Sequence, residues 1–167
     1  LTLKNLILTG SSLSSESFIT GANDINYAGS IFLTTNSSLI LDNVTFINSQ
    51  SNYAGAIYGY YKNNLTINNS NFINCSSKIW GGAISVEYGN LTINNSNFIN
   101  DSSSEDIGGA IYTLKSNLTV INSNFTDCNA TIGGAIAQLD GNLIINDSNF
   151  NNNTATKFCL VFCIFNN

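Results

Sequence analysis

Gly81-Gly82-Ala83-Ile84-Ser85-Val86-Glu87-Tyr88-Gly89-Asn90-Leu91-Thr92-Ile93-Asn94-Asn95-Ser96-Asn97-Phe98-Ile99-Asn100 contains three short runs separated by turn residues. Ile84 and Val86 alternate with polar neighbours, Leu91 and Ile93 do so again, and Phe98 sits alone among asparagines. Period-two alternation in runs this short argues for strands and leaves no room for helical turns. The unit then recurs. Its isoleucines fall at Ile31, Ile57, Ile84, Ile111 and Ile136, in steps of 26, 27, 27 and 25. Leu39, Leu65, Leu91, Leu118 and Leu143 keep the same rhythm, as do Phe46, Phe72, Phe98, Phe125 and Phe150. A fixed period of this length marks a solenoid, because one unit alone cannot bury its apolar face.

Three short strands per unit predict an all-β fold: a right-handed parallel β-helix of about six coils of roughly 26 residues. The hand follows from the rule that parallel crossovers are right-handed. Equivalent residues should stack about 4.8 Å apart. The isoleucine, leucine and phenylalanine columns should face inwards, with a fourth column of Leu3, Leu41, Ile67, Ile93, Val120 and Ile145. Asn43, Asn69, Asn95, Asn122 and Asp147, three residues before each phenylalanine, should form a side-chain ladder. So should Asn48, Asn74, Asn100, Asp127 and Asn152, two residues after it. Gly29, Gly55, Gly82, Gly109 and Gly134 should open each first strand at a tight corner, since glycine permits positive φ and close backbone approach.

Residues 1–167 read as a single β-helix segment. Residues 10–23 break the period and read as an inserted loop. Residues 158–167 stand where another glycine-alanine-isoleucine element is due and read as a cap or a degraded coil. The chain has no methionine and reads as part of a larger gene product. No proline interrupts the ladders. Hydrophobic residues make up 43%, enough for a core, so the abundant Asn and Ser do not signal disorder. A net charge of -5 with five lysines and no arginine argues against nucleic acid as a partner. The longest apolar run, Phe158 to Phe165, is far short of the roughly 20 residues a spanning helix needs, so membrane insertion is not expected.

The repeats resemble those of the polymorphic outer-membrane protein family, adhesins whose units carry Gly-Gly-Ala-Ile and Phe-x-x-Asn. Gly81 to Ile84, Gly108 to Ile111 and Gly133 to Ile136 match the first motif, and Phe150 to Asn153 matches the second. The Asn-rich, proline-free texture is similar to adhesin-like surface proteins of methanogenic archaea. The resemblance covers roughly Gly29 to Thr154. It implies display at the extracellular cell surface, and attachment to glycans or proteins of another cell surface.

Two further readings remain: a carbohydrate-active enzyme (a polysaccharide lyase or hydrolase) and a structural spacer. An enzyme of that kind needs carboxylates converging on one cleft. The ten acids fall mostly in different columns, and the chain has neither histidine nor arginine. No catalytic residue and no cofactor is therefore expected. Asp101, Glu105 and Asp106 share one polar loop, whose oxygens would at most suit a weak calcium site. Cys75 and Cys128 lie two coils apart, about 9.6 Å, beyond the roughly 7 Å limit for a disulfide. They are expected as free thiols near loops, with Cys159 and Cys163 buried. The candidate binding residues are the aromatics expected on the outer face: Tyr58, Tyr60, Tyr61, Trp80, Tyr88 and Tyr112. Such rings offer an apolar face with a polar handle.

Overall fold

In the computed structural model the described residues are 1–9 and 27–158, with the backbone alone of 162–165. The expected loop at 10–23, Cys159 and the side chain of Cys163 lie outside them. The chain winds as a parallel β-solenoid of about five turns, about 26 residues each. Incomplete coils at the two ends account for the difference from six.

The isoleucine strands form a six-stranded sheet: Ile31–Leu33, Ile57–Tyr60, Ile84–Glu87, Ile111–Leu114, Ile136–Leu139 and Phe162–Phe165. Its register aligns Ile31, Ile57, Ile84, Ile111 and Ile136 as the spacing requires. The last strand sets Phe162 beside Ile136. The leucine and phenylalanine strands belong to one ten-stranded sheet, not two, because Ser38–Ile47 runs through both as a single strand. A third sheet follows the phenylalanine strands and takes in the Asp101 segment read as a polar loop. Gln50–Ser51, Ser76–Ser77, Ser102–Ser103, Asn129–Ile132 and Thr154–Phe158 pair in parallel there. Asn100 to Asp106 is thus a corner with a two-residue strand. Its Ser103 is buried beside the core.

The interior holds the predicted columns. Phe46, Phe72, Phe98 and Phe125 are fully buried. Their rings stack with centroids 4.7–4.9 Å apart and planes within 7°. Such contacts add about 0.5–1.5 kcal/mol each beyond area burial.

The corners explain the asparagines. Asn43, Asn69, Asn95, Asn122 and Asp147 have φ of 47–55°, and Asn48, Asn74, Asn100, Asp127 and Asn152 have φ of 53–58°. Asn and Asp tolerate this left-handed conformation better than other side chains. The amides also ladder, as Asn122 Nδ2 to Asn95 Oδ1 at 2.6 Å and Asn100 Nδ2 to Asn74 Oδ1 at 2.9 Å. An interior serine column completes the corner. Ser70, Ser96, Ser123 and Ser148 each accept the backbone N–H of the equivalent residue one coil back, at 3.1 Å. Each hydroxyl donates to the carbonyl two residues before it. The strand-opening glycines meet a different demand. A Cβ on Gly29, Gly55, Gly82 or Gly109 would lie 1.9–2.1 Å from the carbonyl oxygen of the next glycine in the column. Close backbone approach, not positive φ, keeps these four positions as glycine.

Candidate binding surface

The outer face of the isoleucine sheet carries one column of Phe32, Tyr58, Ser85, Tyr112 and Ala137. A second outward column places Tyr60, Glu87 and Leu114 side by side. Small Ser85 leaves a slot between Tyr58 and Tyr112, and Trp80 fills it. The indole stacks on Tyr58 at 6.1 Å and on Tyr112 at 5.2 Å. Ser85 Oγ pins the covering segments by accepting the Gly81 N–H at 3.0 Å and donating to the Tyr53 carbonyl at 3.2 Å.

The structure brings all six sequence-predicted aromatics into one chain of ring contacts. It runs Tyr112, Trp80, Tyr58, Tyr60, Tyr61, Tyr88, with no step longer than 6.5 Å. They are not equally available. Tyr58 and Tyr112 are 2% and 3% exposed, which corrects their reading as outer-face contact residues. Both lie outside the solenoid lumen: Tyr58 in a small second core with Ala28 and Ala54, packed against Tyr53 and Trp80, and Tyr112 against the other side of Trp80. Tyr60, Tyr61 and Tyr88 are 46%, 40% and 40% exposed.

Three aromatics of this face were missed. Tyr27 stacks on Phe32, Tyr53 and Tyr58 at 5.2–5.5 Å. Tyr27, Tyr53 and Trp80 each stand two residues before a strand-opening glycine, and Phe32 follows Ile31 as Tyr58 follows Ile57. Those shared offsets were the available signal.

Beneath the exposed rings lies a buried acid. Tyr58 donates its hydroxyl to Glu87 Oε1 at 2.5 Å. Burial raises the Glu87 carboxyl above its ordinary range, and the Tyr58 hydrogen bond opposes the rise. Burial, and then the neighbouring Glu87, also push the Tyr58 phenol upwards. Lysines border the strip. Lys62 Nζ stands 5.2 Å from the Tyr61 ring centroid and Lys115 Nζ 6.0 Å from that of Tyr88. Both distances suit cation–π attraction.

The loop read as a weak calcium site does not form one. Asp101 is fully buried, and its Oδ1 accepts the Cys75 N–H at 2.7 Å. The third residue after each phenylalanine points inwards, so the carboxylate leaves its loop partners. Glu105 pairs instead with Lys78 at 3.5 Å. No group of three metal-ligating side chains occurs among the described residues. The same inward position buries Cys75 and Cys128 completely, where a place near loops was expected. Both are free, and burial, reinforced by Asp101, pushes their thiols well above the ordinary range.

No family model, no curated protein and no solved structure matches the chain.

Proposed function

We propose that this solenoid is a non-catalytic, adhesin-like attachment module of a cell surface, presenting a rigid face to glycans or proteins of another cell. One observation carries the reading. Tyr60, Tyr61 and Tyr88 expose contiguous rings at a single corner of the rod, anchored where Tyr60 stacks on the buried Tyr58. Tyrosine presents large, rigid contact area at low entropic cost, and that suits recognition by stacking. The likeness of the Gly-Gly-Ala-Ile units to surface adhesins supports the same reading. A spacer role draws support from the opposite, ten-stranded face, where Asn64, Asn90 and Asn117 and the threonines Thr66, Thr92 and Thr119 form uniform rows.

Retention of the purified chain on immobilised polysaccharides and cell-surface extracts tests the proposal, with Tyr60→Ser/Tyr88→Asn alongside. Saturable retention lost in the double variant, with polymer length unchanged, is the expected result. Retention on no surface would shift the assignment to the spacer. Shortened polymer would shift it to the enzyme.

A further inference from the structure

The corner that carries the exposed tyrosines breaks the rule the other corners obey. At the two asparagine corners the left-handed position is held by Asn or Asp in every described coil. At the corner leaving the isoleucine sheet it is held by Tyr61 (φ 59°), Tyr88 (φ 53°) and Lys115 (φ 45°), with Lys62 (φ 59°) beside them. The coils on either side use the usual residue types, Asn36 (φ 60°) beside Lys62 and Asp140 (φ 64°) beside Lys115. Backbone hydrogen bonds place these residues in one column: Tyr61 N–H to Glu87 O, Tyr88 N–H to Leu114 O and Lys115 N–H to Leu139 O. A bulky side chain in this conformation is strained, and such strain gathers where side chains serve a ligand. Asparagine would satisfy the backbone here as it does elsewhere in the rod. The side chains themselves must supply what Asn cannot.

What they supply is rings and positive charge. The whole chain has five lysines and no arginine, and two of the five stand at this corner. Lys4 and Lys78 pair with Asp42 and Glu105. Lys62 and Lys115 lie over Tyr61 and Tyr88 instead and remain exposed. Of the acids at this corner, Glu87 has its Oε1 turned to Tyr58, and Asp140, beside Lys115 in the column, accepts the Gly141 N–H with its Oδ1. Tyr61 and Tyr88 stand on successive coils at the strand spacing of about 4.8 Å, close to the rise of one sugar ring along an extended polysaccharide, and Lys62 and Lys115 flank them two coils apart.

Resting on the attachment reading, we infer that the ligand is an acidic polysaccharide, a linear uronate- or sulfate-bearing chain. It would run along the rod axis over Tyr60, Tyr61 and Tyr88, with its anionic groups at Lys62 and Lys115. Ring faces meet sugar C–H faces, and the ammonium groups meet carboxylate or sulfate through charge-assisted hydrogen bonds.

The test is equilibrium binding of the purified chain to alginate, to alginate with its carboxyls esterified, to dextran sulfate and to dextran. Alginate and dextran sulfate should bind, and esterified alginate and dextran about tenfold more weakly or not at all, with affinity falling as salt screens the charges. Lys62→Gln/Lys115→Gln should weaken alginate binding by about tenfold, the loss of charge-assisted contacts. Tyr61→Asn/Tyr88→Asn should abolish binding while leaving the thermal midpoint unchanged or higher, because Asn relieves the backbone. That combination separates a binding role from a folding one. Equal affinity for charged and esterified alginate would overturn the acidic ligand and leave attachment standing. Retention on none of the four polymers, with retention on cell-surface protein extracts, would overturn the glycan and leave a protein partner. Unchanged alginate binding by the tyrosine variant would overturn the site.

Discussion

Tyr58 and Glu87 lie on neighbouring strands of the isoleucine sheet, and the phenol donates to the carboxylate at 2.5 Å with both side chains buried. Glu87 sits higher than an ordinary glutamate because burial raises it, although the phenol holds it down. A carboxyl whose folded value exceeds its unfolded one binds its proton more tightly in the folded chain. Its contribution to stability is full below the unfolded value of 4.5 and is lost as pH rises through the folded one. Tyr58→Phe removes the donor. It should cost about 1–3 kcal/mol at neutral pH, where the buried charge loses its partner. Near pH 4, where glutamate is largely protonated, the cost should be smaller. Urea unfolding at both pH values measures the difference. Equal losses would mean that Glu87 is not charged in the folded chain at neutral pH.

Asp101 has a neutral counterpart two coils along. Asn153 accepts the Cys128 N–H with Oδ1 and donates from Nδ2 to the Phe125 carbonyl. Asp101 makes the first contact, to Cys75, but its buried Oδ2 has no partner. Burial raises its carboxyl well above the ordinary range. As with Glu87, this contribution is full at low pH and lost as pH rises through the folded value. Asp101→Asn gives the column an amide that can reach the Phe72 carbonyl. The variant should gain about 1–3 kcal/mol at neutral pH and show a flatter dependence of stability on pH. Thermal melts across the acid to neutral range would reveal both. A destabilised variant would count against an inward Asp101 whose Oδ2 lacks a partner.

The serine column carries a similar obligation. Ser96 Oγ is the acceptor for the buried Ser70 N–H and donates to the Asn94 carbonyl. Ser96→Ala leaves that N–H without a partner and should cost about 1–3 kcal/mol. Amide exchange localises the effect, with faster exchange at Ser70 in the variant. An unchanged rate there would show that the hydroxyl is not the acceptor.

The core columns were legible in sequence because each is a single residue type repeated at one spacing. Ile84 above Ile57 and Phe98 above Phe72 needed only the period. The inward position after each phenylalanine was opaque because it holds Ser49, Cys75, Asp101, Cys128 and Asn153 in turn. Such variety looks like a loop. Its burial follows from the left-handed asparagine just before it, which turns the chain inwards. The burial of Tyr58 and Tyr112 was hidden for another reason. Alternation assigns a residue to the outer face of a sheet, but it does not say that Trp80 folds over that face into the gap at Ser85.

Gly82 and Gly59 belong to the same wall of the rod, yet one methyl group should have opposite effects on them. A Cβ on Gly82 would stand 2.0 Å from the Gly109 carbonyl oxygen and 2.5 Å from the Ser102 nitrogen, both backbone atoms of the next coil, the latter held by its bond to the Cys75 carbonyl. Neither can withdraw without separating two coils. Gly82→Ala should therefore lower stability by at least about 3 kcal/mol, the upper range for overpacking. A Cβ on Gly59 would meet Asn63 Nδ2 at 3.5 Å and Val86 Cγ2 at 3.6 Å, ordinary contacts with side chains. Gly59 also lacks a positive φ. Gly59→Ala should stabilise by about 0.4–1 kcal/mol, mainly by restricting the unfolded chain. Denaturation midpoints of the two variants decide the matter. If Gly82→Ala proved as benign as Gly59→Ala, the coils could not be stacked with the glycine column in backbone contact.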